Sequence, residues 1–323
     1  MKLKEQFYNM MKFKNYSVNT ADAYWGWIEK FIRYNGIKHP AEIANKINDY
    51  LMFLAIEKKH APKTIRQAGF AIIFLYQKVL KLNIPQYIEL PKPSNRKPPV
   101  VFSRDEVAGI LNNLRNENLL IAQLLYGSAL RISECLSLRI KDIDFGNNQI
   151  IVYNGKGNKS DLVLLPAPIV DDLRLQIEKA KIVYQKDLLN NYNGVTLPEE
   201  IRKNYRTVSK SIEWQYLFPA ADYCEDMKRH HVHQSGVQKA VKTAIKKAGI
   251  MKAGSCHSLR HSFATHLLQN GTDIRTVQEL LRHKRVSTTM VYTHVLETEK
   301  RSVESPLCGI MPVRDNLRVY KIA

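Results

Sequence analysis

The sequence predicts a mostly α-helical protein with one small antiparallel β-sheet, divided into a helical N-terminal domain and a mixed α/β domain. Apolar residues recur at helical spacing through residues 1–90, a proline-rich stretch then interrupts this pattern, and two strand-like runs follow. A chain of 323 residues is long enough for about two domains. With 45% hydrophobic and 24% charged residues, the composition is that of a folded protein and excludes a disordered tail protein.

Three apolar stripes predict helices within residues 1–90. The first stripe ends at Gly36, the second begins at Pro40 and the third follows Pro62, at residue types that commonly bound helices. The stripes consist of Tyr24, Trp27, Ile28, Phe31 and Ile32, then of Ile43, Ile47, Leu51 and Leu54, and then of Ile65, Ile72, Tyr76 and Val79.

Two basic residues, Lys63 and Arg66, lie in the first turn of the third predicted helix. Backbone N–H groups at a helix start and basic side chains together favour a phosphate, which makes both residues candidate DNA contacts. A solvated charged face explains the same two residues equally well.

Prolines then become dense, which predicts a stiff, extended linker at 91–101. The second domain is expected at 102–300, where Ser103 and Glu106 have the spacing of a capping box and predict a helix start. Further on, residues 149–154 and 161–165 are strand-like and predict a β-hairpin with Lys156 in its turn. Helical patterns resume from about 169 and at 237–248, 258–269 and 273–282.

Charge is the least ordinary feature of the composition. The chain carries 49 Lys and Arg against 30 Asp and Glu, a net charge of +19, which indicates a polyanionic partner. No apolar run approaches the ~18 residues of a membrane span, and the polar start has no signal-peptide core. DNA or RNA is therefore favoured over a membrane. The four cysteines are scattered, as expected for reduced thiols and not for a disulfide framework or zinc module.

Histidines concentrate in the last third of the chain, a pattern that suggests metal binding or acid–base chemistry. His257 and His261 have helical spacing, but the glutamate of an H-E-x-x-H motif is missing and no further ligands complete a site. We therefore expect no metal. The alternative is a cationic site that cleaves a polyanion, in which His257 and Arg260 share one side of a helix. Guanidinium groups bind phosphate oxygens bidentately, so Arg131 and Arg260 suit such a site.

Five segments, in this order, resemble the signature boxes of the tyrosine recombinases. They are A-L-R-I-S-E (129–134), G-K-G-N-K (155–159), C-H-S-L-R-H-S-F-A-T-H-L (256–267), L-L-R-H (280–283) and S-T-T-M-V-Y-T-H (287–294). The resemblance implies a helical, SAM-like core-binding domain and a mixed α/β catalytic domain that form a C-shaped clamp on DNA. It also implies a homotetramer on DNA and a cytoplasmic bacterial protein that associates with the nucleoid when bound.

The resemblance assigns the chemical step to Tyr292, Lys156 and His257. Tyr292 would attack the scissile phosphate to form a 3′-phosphotyrosyl bond and free a 5′-hydroxyl. Lys156 would be the general acid for the leaving oxygen, and His257 the candidate base or proton shuttle for Tyr292. A free tyrosine, with a pKa near ~10, needs such help near neutrality. Because the covalent intermediate conserves the phosphodiester energy, neither ATP nor a metal cofactor is expected.

The remaining signature residues would hold the phosphate. Arg131 and Arg260 would bind its non-bridging oxygens, His283 would be a further donor, and Glu134 would orient the set from behind. The other histidines of the third box, His261 and His266, are expected to pack structurally. One residue departs from the family pattern: Arg282 stands where a glycine commonly precedes the histidine. If that position needs a positive φ, arginine costs conformational energy there.

A long additional segment, at about 180–235, resembles the one that marks integron integrases among tyrosine recombinases. In that group it helps to recognise bases extruded from folded single-stranded cassette sites, besides the integron attachment site. Trp214, His230 and His231 are the stacking candidates, and Arg229 the phosphate contact. Alternatively, Trp214 and Phe218 belong to the core and the histidine pair to an ordinary surface.

Two other functions remain open. The chain could be a Xer-like or phage-type recombinase that acts only on duplex sites, or a relic that binds DNA without cutting it. The tail at 301–323 is expected to dock into neighbouring subunits, which in this family limits how many subunits cut at once.

Overall fold

The computed structural model describes residues 2–37, 39–84, 87–93, 98–154, 159–197 and 207–292. The chain divides into two compact units, Met1–Lys97 and Pro98–Ala323. Helices predominate in both, and the second unit adds small antiparallel sheets, which confirms the predicted fold class.

The first unit is helical throughout its ordered elements. It contains α1 (Leu3–Phe13), α2 (Val18–Tyr34), α3 (Ile47–Ile56) and α4 (Pro62–Phe74), and a π-helical turn continues α4 through Leu75–Leu80. Ser17 caps α2 by accepting the backbone N–H of Thr20, and Gly36, with a φ of +76°, lies just beyond its end. The apolar faces of these helices meet in two adjoining clusters around Phe31 and Phe74.

The segment after Pro40 corrects one prediction, because the α-helix does not begin there. Pro40–Glu42 and Ala44–Lys46 form short 3-10 turns, and α3 begins only at Ile47. Ile43 interrupts the segment with a φ of −117° while burying its side chain in the core. The helix α1, which none of the three stripes included, packs Phe7 and Met11 inward.

The second unit begins with α5 (Arg104–Asn112), α6 (Asn116–Gly127) and the short α7 (Ile132–Leu136). Both hydrogen bonds of the predicted capping box between Ser103 and Glu106 are present. Strands β1 (Ile143–Asp144), β2 (Gln149–Asn154) and β3 (Lys159–Leu164) follow and pair antiparallel in the order β1-β2-β3. This confirms the hairpin; its turn at 155–158, with Lys156, lies outside the described residues.

The rest of the unit contains α8 (Val170–Leu189), the antiparallel pair β4 (Pro219–Cys224) and β5 (Lys228–His231), and α9 (Gln234–Lys247). It continues with α10 (Cys256–Gln269), α11 (Ile274–Leu280), α12 (Val286–Thr289) and the 3-10 turn Met290–Tyr292. The four predicted helices therefore form within a few residues of their expected bounds.

Helix α10 lies at the centre of this unit. It packs against α6, α9 and α11, and Leu259, Ser262 and Ala264 are inaccessible to solvent. The Ser262 hydroxyl also accepts the backbone N–H of Phe102 at 2.8 Å. Because α10 is held on several sides, the polar residues that it carries have fixed positions.

Candidate active site

Arg260 joins three segments of the site. Its side chain is 1% exposed on α10, where Nη1 donates to the carbonyl of Ala129 and Nη2 to that of Leu281. Burial and the neighbouring charges of Arg131 and Arg282 lower the pKa of Arg260 to about 10, so the group remains cationic near neutrality. The first, third and fourth signature segments are thus connected through one guanidinium.

Glu134 lies among three arginines. Its Oε2 accepts the backbone N–H of Arg131 at 2.8 Å and Nη2 of Arg282 at 2.5 Å, while Oε1 accepts Nη1 of Arg131 at 2.5 Å. Nη1 of Arg260 lies 3.8 Å from Oε2. Burial opposes ionisation, but the bond from the Arg131 N–H and the charges of Arg282 and Arg131 outweigh it and lower the pKa of Glu134.

Tyr292 is buried beside this cluster, with its hydroxyl bonded to Nδ1 of His261 at 2.6 Å. Burial raises the pKa of Tyr292, although the positive charges of Arg260 and Arg131 act in the opposite direction. Burial, together with His257 and Arg260, lowers the pKa of His261 to about 4. The imidazole is therefore neutral near pH 7, and in its Nε2–H tautomer Nδ1 accepts a hydrogen bond from the Tyr292 hydroxyl.

This contact involves the histidine that the sequence does not assign to Tyr292. The sequence predicts that His257 serves Tyr292 and that His261 packs; the structure places His261 on the hydroxyl, and the role of His257 stays a prediction. The ring centroids of His257 and His261 lie 4.4 Å apart, so His257 is next to the imidazole that contacts Tyr292. Their i, i+4 spacing showed that the two rings share a helix face, but not which of them meets a residue 31 positions away.

His283 and Arg282 lie in the connection from α11 to α12. The His283 imidazole is hydrogen-bonded through Nδ1 to the Thr289 hydroxyl at 3.0 Å, and its backbone carbonyl accepts Nε2 of Gln278 at 2.9 Å. Burial, Arg260 and Arg131 lower the pKa of His283 to about 4. Arg282 has a φ of +52°, which confirms that this position takes the backbone conformation that favours glycine.

The resulting site combines fixed positive charge with neutral imidazoles around one tyrosine hydroxyl. Such an arrangement binds a phosphodiester and stabilises the charge that develops when its phosphorus is attacked. Within the described part of the chain, no group of three or more His, Cys, Asp or Glu side chains is arranged to hold a metal ion.

Arg229 does not fit the predicted role of a phosphate contact. Nε and Nη2 bind the Asp187 carboxylate, and Nη1 donates to the carbonyls of Ala220 and Ala221 at 2.9 and 2.8 Å. The side chains of Arg229 and Asp187 are only 7% and 2% exposed. This prediction was wrong because a buried ion pair, which joins β5 to α8, occupies the guanidinium.

The other candidates in the additional segment belong to a row of cations and aromatic rings. Lys141 Nζ lies 4.0 Å from the Trp214 ring centroid, and the Arg139 guanidinium lies 5.3 Å from Trp214 and 4.4 Å from Tyr216. The rings of His230 and His231 each lie 5.3 Å from that of Tyr216. We call these residues the aromatic row: Lys141, Trp214, Arg139, Tyr216, His230 and His231.

The alternative prediction of a core position holds for only one of the two aromatic residues. Phe218 is fully buried, whereas Trp214, His230 and His231 are half-buried.

In the first unit, Lys63 is exposed on the first turn of α4, and Arg66 donates to the Pro91 carbonyl at 3.1 Å beside the Phe70 ring.

The helical first unit and this cationic tyrosine site define a class of enzymes that break and rejoin DNA through a tyrosine. The family model "Phage integrase family" matches residues 101–299, and "Phage integrase, N-terminal SAM-like domain" matches residues 3–86. The chain belongs to the phage integrase family and is a tyrosine site-specific recombinase, which cleaves and religates DNA.

Relatives of known sequence cover nearly the whole chain. An "Integrase/recombinase" of Escherichia coli is 42% identical over 321 residues, 97% of this chain and 95% of its own length. The tyrosine recombinase XerC of Halalkalibacterium halodurans is 28% identical over 90% of this chain and 91% of its own length.

Solved structures share the fold. The XerH recombinase bound to palindromic difH substrate has a TM-score of 0.61 at 22% identity, covering 93% of this chain and 84% of its own. The Tn1549 transposon integrase in complex with transposon right end DNA has a TM-score of 0.59 at 14% identity, covering 94% and 100%. No helix among the described residues is long and apolar enough to cross a bilayer.

Proposed function

We propose that this recombinase is an integron integrase, which integrates and excises gene cassettes through a 3′-phosphotyrosyl intermediate. Tyr292 is the nucleophile: it gives its phenolic proton to His257, and its oxygen bonds to phosphorus while the bond to the 5′-oxygen breaks. Lys156 protonates that leaving oxygen. The burial of the Tyr292 hydroxyl among active-site cations and imidazoles is the observation that carries this assignment.

Arg131 and Arg260 hold the non-bridging oxygens in this proposal. Arg131 is the more accessible, with 40% of its side chain exposed, whereas Arg260 is buried. Glu134 supports them by fixing the orientation of Arg131. His257 serves Tyr292 as base or proton shuttle, and His283 is a further donor to the phosphate. Both domains bind DNA in this proposal, consistent with the net charge of +19 on the chain.

The aromatic row supports the finer proposal that the substrate includes folded single-stranded cassette sites. A base that has left a duplex needs a flat face for stacking and a cation for the neighbouring phosphate. Trp214 offers the ring within the segment at 180–235, and Lys141, whose Nζ lies 4.0 Å from the centroid of that ring, offers the cation from outside the segment. Stacking of this kind contributes about 1–3 kcal/mol per base.

A second candidate is a recombinase that acts on duplex sites alone. It is favoured by the XerC and XerD relatives and by the fold shared with XerH on its difH substrate. The two functions use the same active site and differ only in what the aromatic row contacts.

A suicide-substrate assay separates these functions. The wild type and Tyr292→Phe are incubated with the bottom strand of a folded cassette site and, separately, with the duplex. A denaturant-resistant adduct on the folded strand, formed by the wild type alone, is expected. An adduct on the duplex alone would support the duplex recombinase and exclude the integron integrase. No adduct on either substrate, with DNA binding intact, would indicate a relic that binds DNA without cutting it.

Two substitutions test the aromatic row. Trp214→Ala is expected to weaken binding of the folded strand by about 5- to 160-fold, the equivalent of one lost stacking contact, and to change duplex binding little. Trp214→Phe keeps a flat ring and serves as the matched control. Equal losses on both substrates would remove the single-strand proposal.

A further inference from the structure

Arg282 occupies an unfavourable position for an arginine. Its φ of +52° is in the left-handed region, and its side chain is 7% exposed, so the charge is removed from water. Strained backbone and buried charge both cost free energy and persist only where surrounding contacts hold them. The contacts of Arg282 therefore indicate what the residue does.

Those contacts lie in the active site. Nη2 donates to Oε2 of Glu134 at 2.5 Å, and Nε lies 3.9 Å from Oδ2 of Asp161 on β3. Within the described residues, Nε and Nη1 are buried without a hydrogen-bond acceptor. The guanidinium thus lies behind Glu134 and is directed at its carboxylate.

Glu134 is fixed from both of its oxygens. Arg131 binds Oε1 and Arg282 binds Oε2, so the carboxylate cannot rotate without breaking one of two charged hydrogen bonds. Because Arg131 is held by Glu134, its direction also depends on Arg282. The three arginines around one carboxylate leave a surplus of positive charge where a phosphate is to bind.

We propose that Arg282 is a positioning residue, which fixes Glu134 and through it Arg131 for the scissile phosphate. This rests on the proposed function of Tyr292 as the nucleophile. The side chain acts from behind the carboxylate and does not touch DNA. In this chain, an arginine has this positioning role where the family pattern commonly has glycine.

The test compares Arg282→Gly, Arg282→Lys and Glu134→Gln, alone and in the double variant Arg282→Gly/Glu134→Gln, by the rate of adduct formation on DNA already bound. Glycine accepts the local φ, so Arg282→Gly is expected to fold and bind DNA. Its adduct rate is expected to fall at least about tenfold, with partial rescue in Arg282→Lys. The double variant should be no slower than Glu134→Gln, because both changes disable one linkage.

A pH profile tests separately whether the charge of Arg282 acts on His283. The charge of Arg282 contributes to the lowered pKa of His283. Removing that charge raises this pKa, so the acid side of the rate profile of Arg282→Gly should shift to higher pH. Arg285→Gly, an exposed arginine on the same connection, is the matched control.

An adduct rate of Arg282→Gly within twofold of the wild type would overturn the proposal, as would additive losses in the double variant. A wild type that forms no Tyr292 adduct on any substrate would instead refute the proposed function.

Discussion

The hydrogen bond between Tyr292 and His261 leads to a prediction about the resting enzyme. His261 is a poor proton acceptor, because its pKa of about 4 lies about six units below that of an ordinary phenol. Full proton transfer between the two groups would cost about 8 kcal/mol. The contact therefore holds a protonated Tyr292 in its buried position, and we expect Tyr292 to leave it when it acts as the proposed nucleophile.

His261→Phe removes the acceptor and keeps a ring of similar size. A buried hydroxyl that loses its hydrogen-bond acceptor costs about 1–3 kcal/mol, which favours release of Tyr292 by about 5- to 160-fold. The rate of adduct formation on DNA already bound is expected to rise, with this factor as its upper limit. Single-turnover kinetics on a suicide substrate measure it.

His261→Asn is the matched control, since its amide oxygen can accept the same hydroxyl and should keep the rate near that of the wild type. A rate for His261→Phe that is a hundredfold lower would refute the reasoning. That result would make His261 the base for Tyr292 despite its low pKa.

Four further outcomes are expected. Arg229→Ala should lower the free energy of unfolding by about 3–5 kcal/mol, because Asp187 is left buried and unpaired. Lys228→Ala removes a partner from an exposed pair and should cost under about 1 kcal/mol, so equal urea midpoints for the two variants would contradict this prediction. Acidification from about pH 7 to about pH 5 should lower the urea midpoint. Because the pKa values of His261 and His283 are lowered to about 4 in the folded protein, the unfolded chain binds protons first below about pH 6.5, and stability is lost from there towards about pH 4. DNA affinity should fall steeply with salt as phosphate contacts release counterions, and a salt-insensitive titration would contradict the charge argument. Truncation after residue 300 should weaken assembly on DNA more than duplex binding, and unchanged tetramer formation by light scattering would remove the proposed role of the tail.

The sequence predicted elements whose signals are local. The capping box at Ser103 and the hairpin formed by β2 and β3 depend on residues a few positions apart, and both formed as expected. Pro40 misled because a proline suits the first turn of either a 3-10 or an α-helix, and the core position of Ile43 decided between them.

Side-chain partners distant in sequence could not be predicted in the same way. Arg229 and Asp187 are 42 positions apart, and the residues around neither of them indicate a buried ion pair. Likewise, the motif placed both histidines on one helix, but the packing of the 3-10 turn at Met290–Tyr292 decided which ring meets the hydroxyl. For Arg282, the departure from glycine was visible in the sequence, whereas its bond to Glu134 was not.

The bonds from Arg260 to Ala129 and Leu281 have a consequence for the newly made chain. They join residues 131 and 21 positions apart, and Arg282 reaches Glu134 across 148. Contacts that span so much chain form only after the intervening segments have collapsed, because closing long loops costs entropy before any contact compensates for it. During synthesis, a ribosome-bound fragment that ends before Arg282 has not yet formed this arginine cluster. The arginine cluster around Glu134 is therefore complete only after the second unit has been synthesised at least through Arg282.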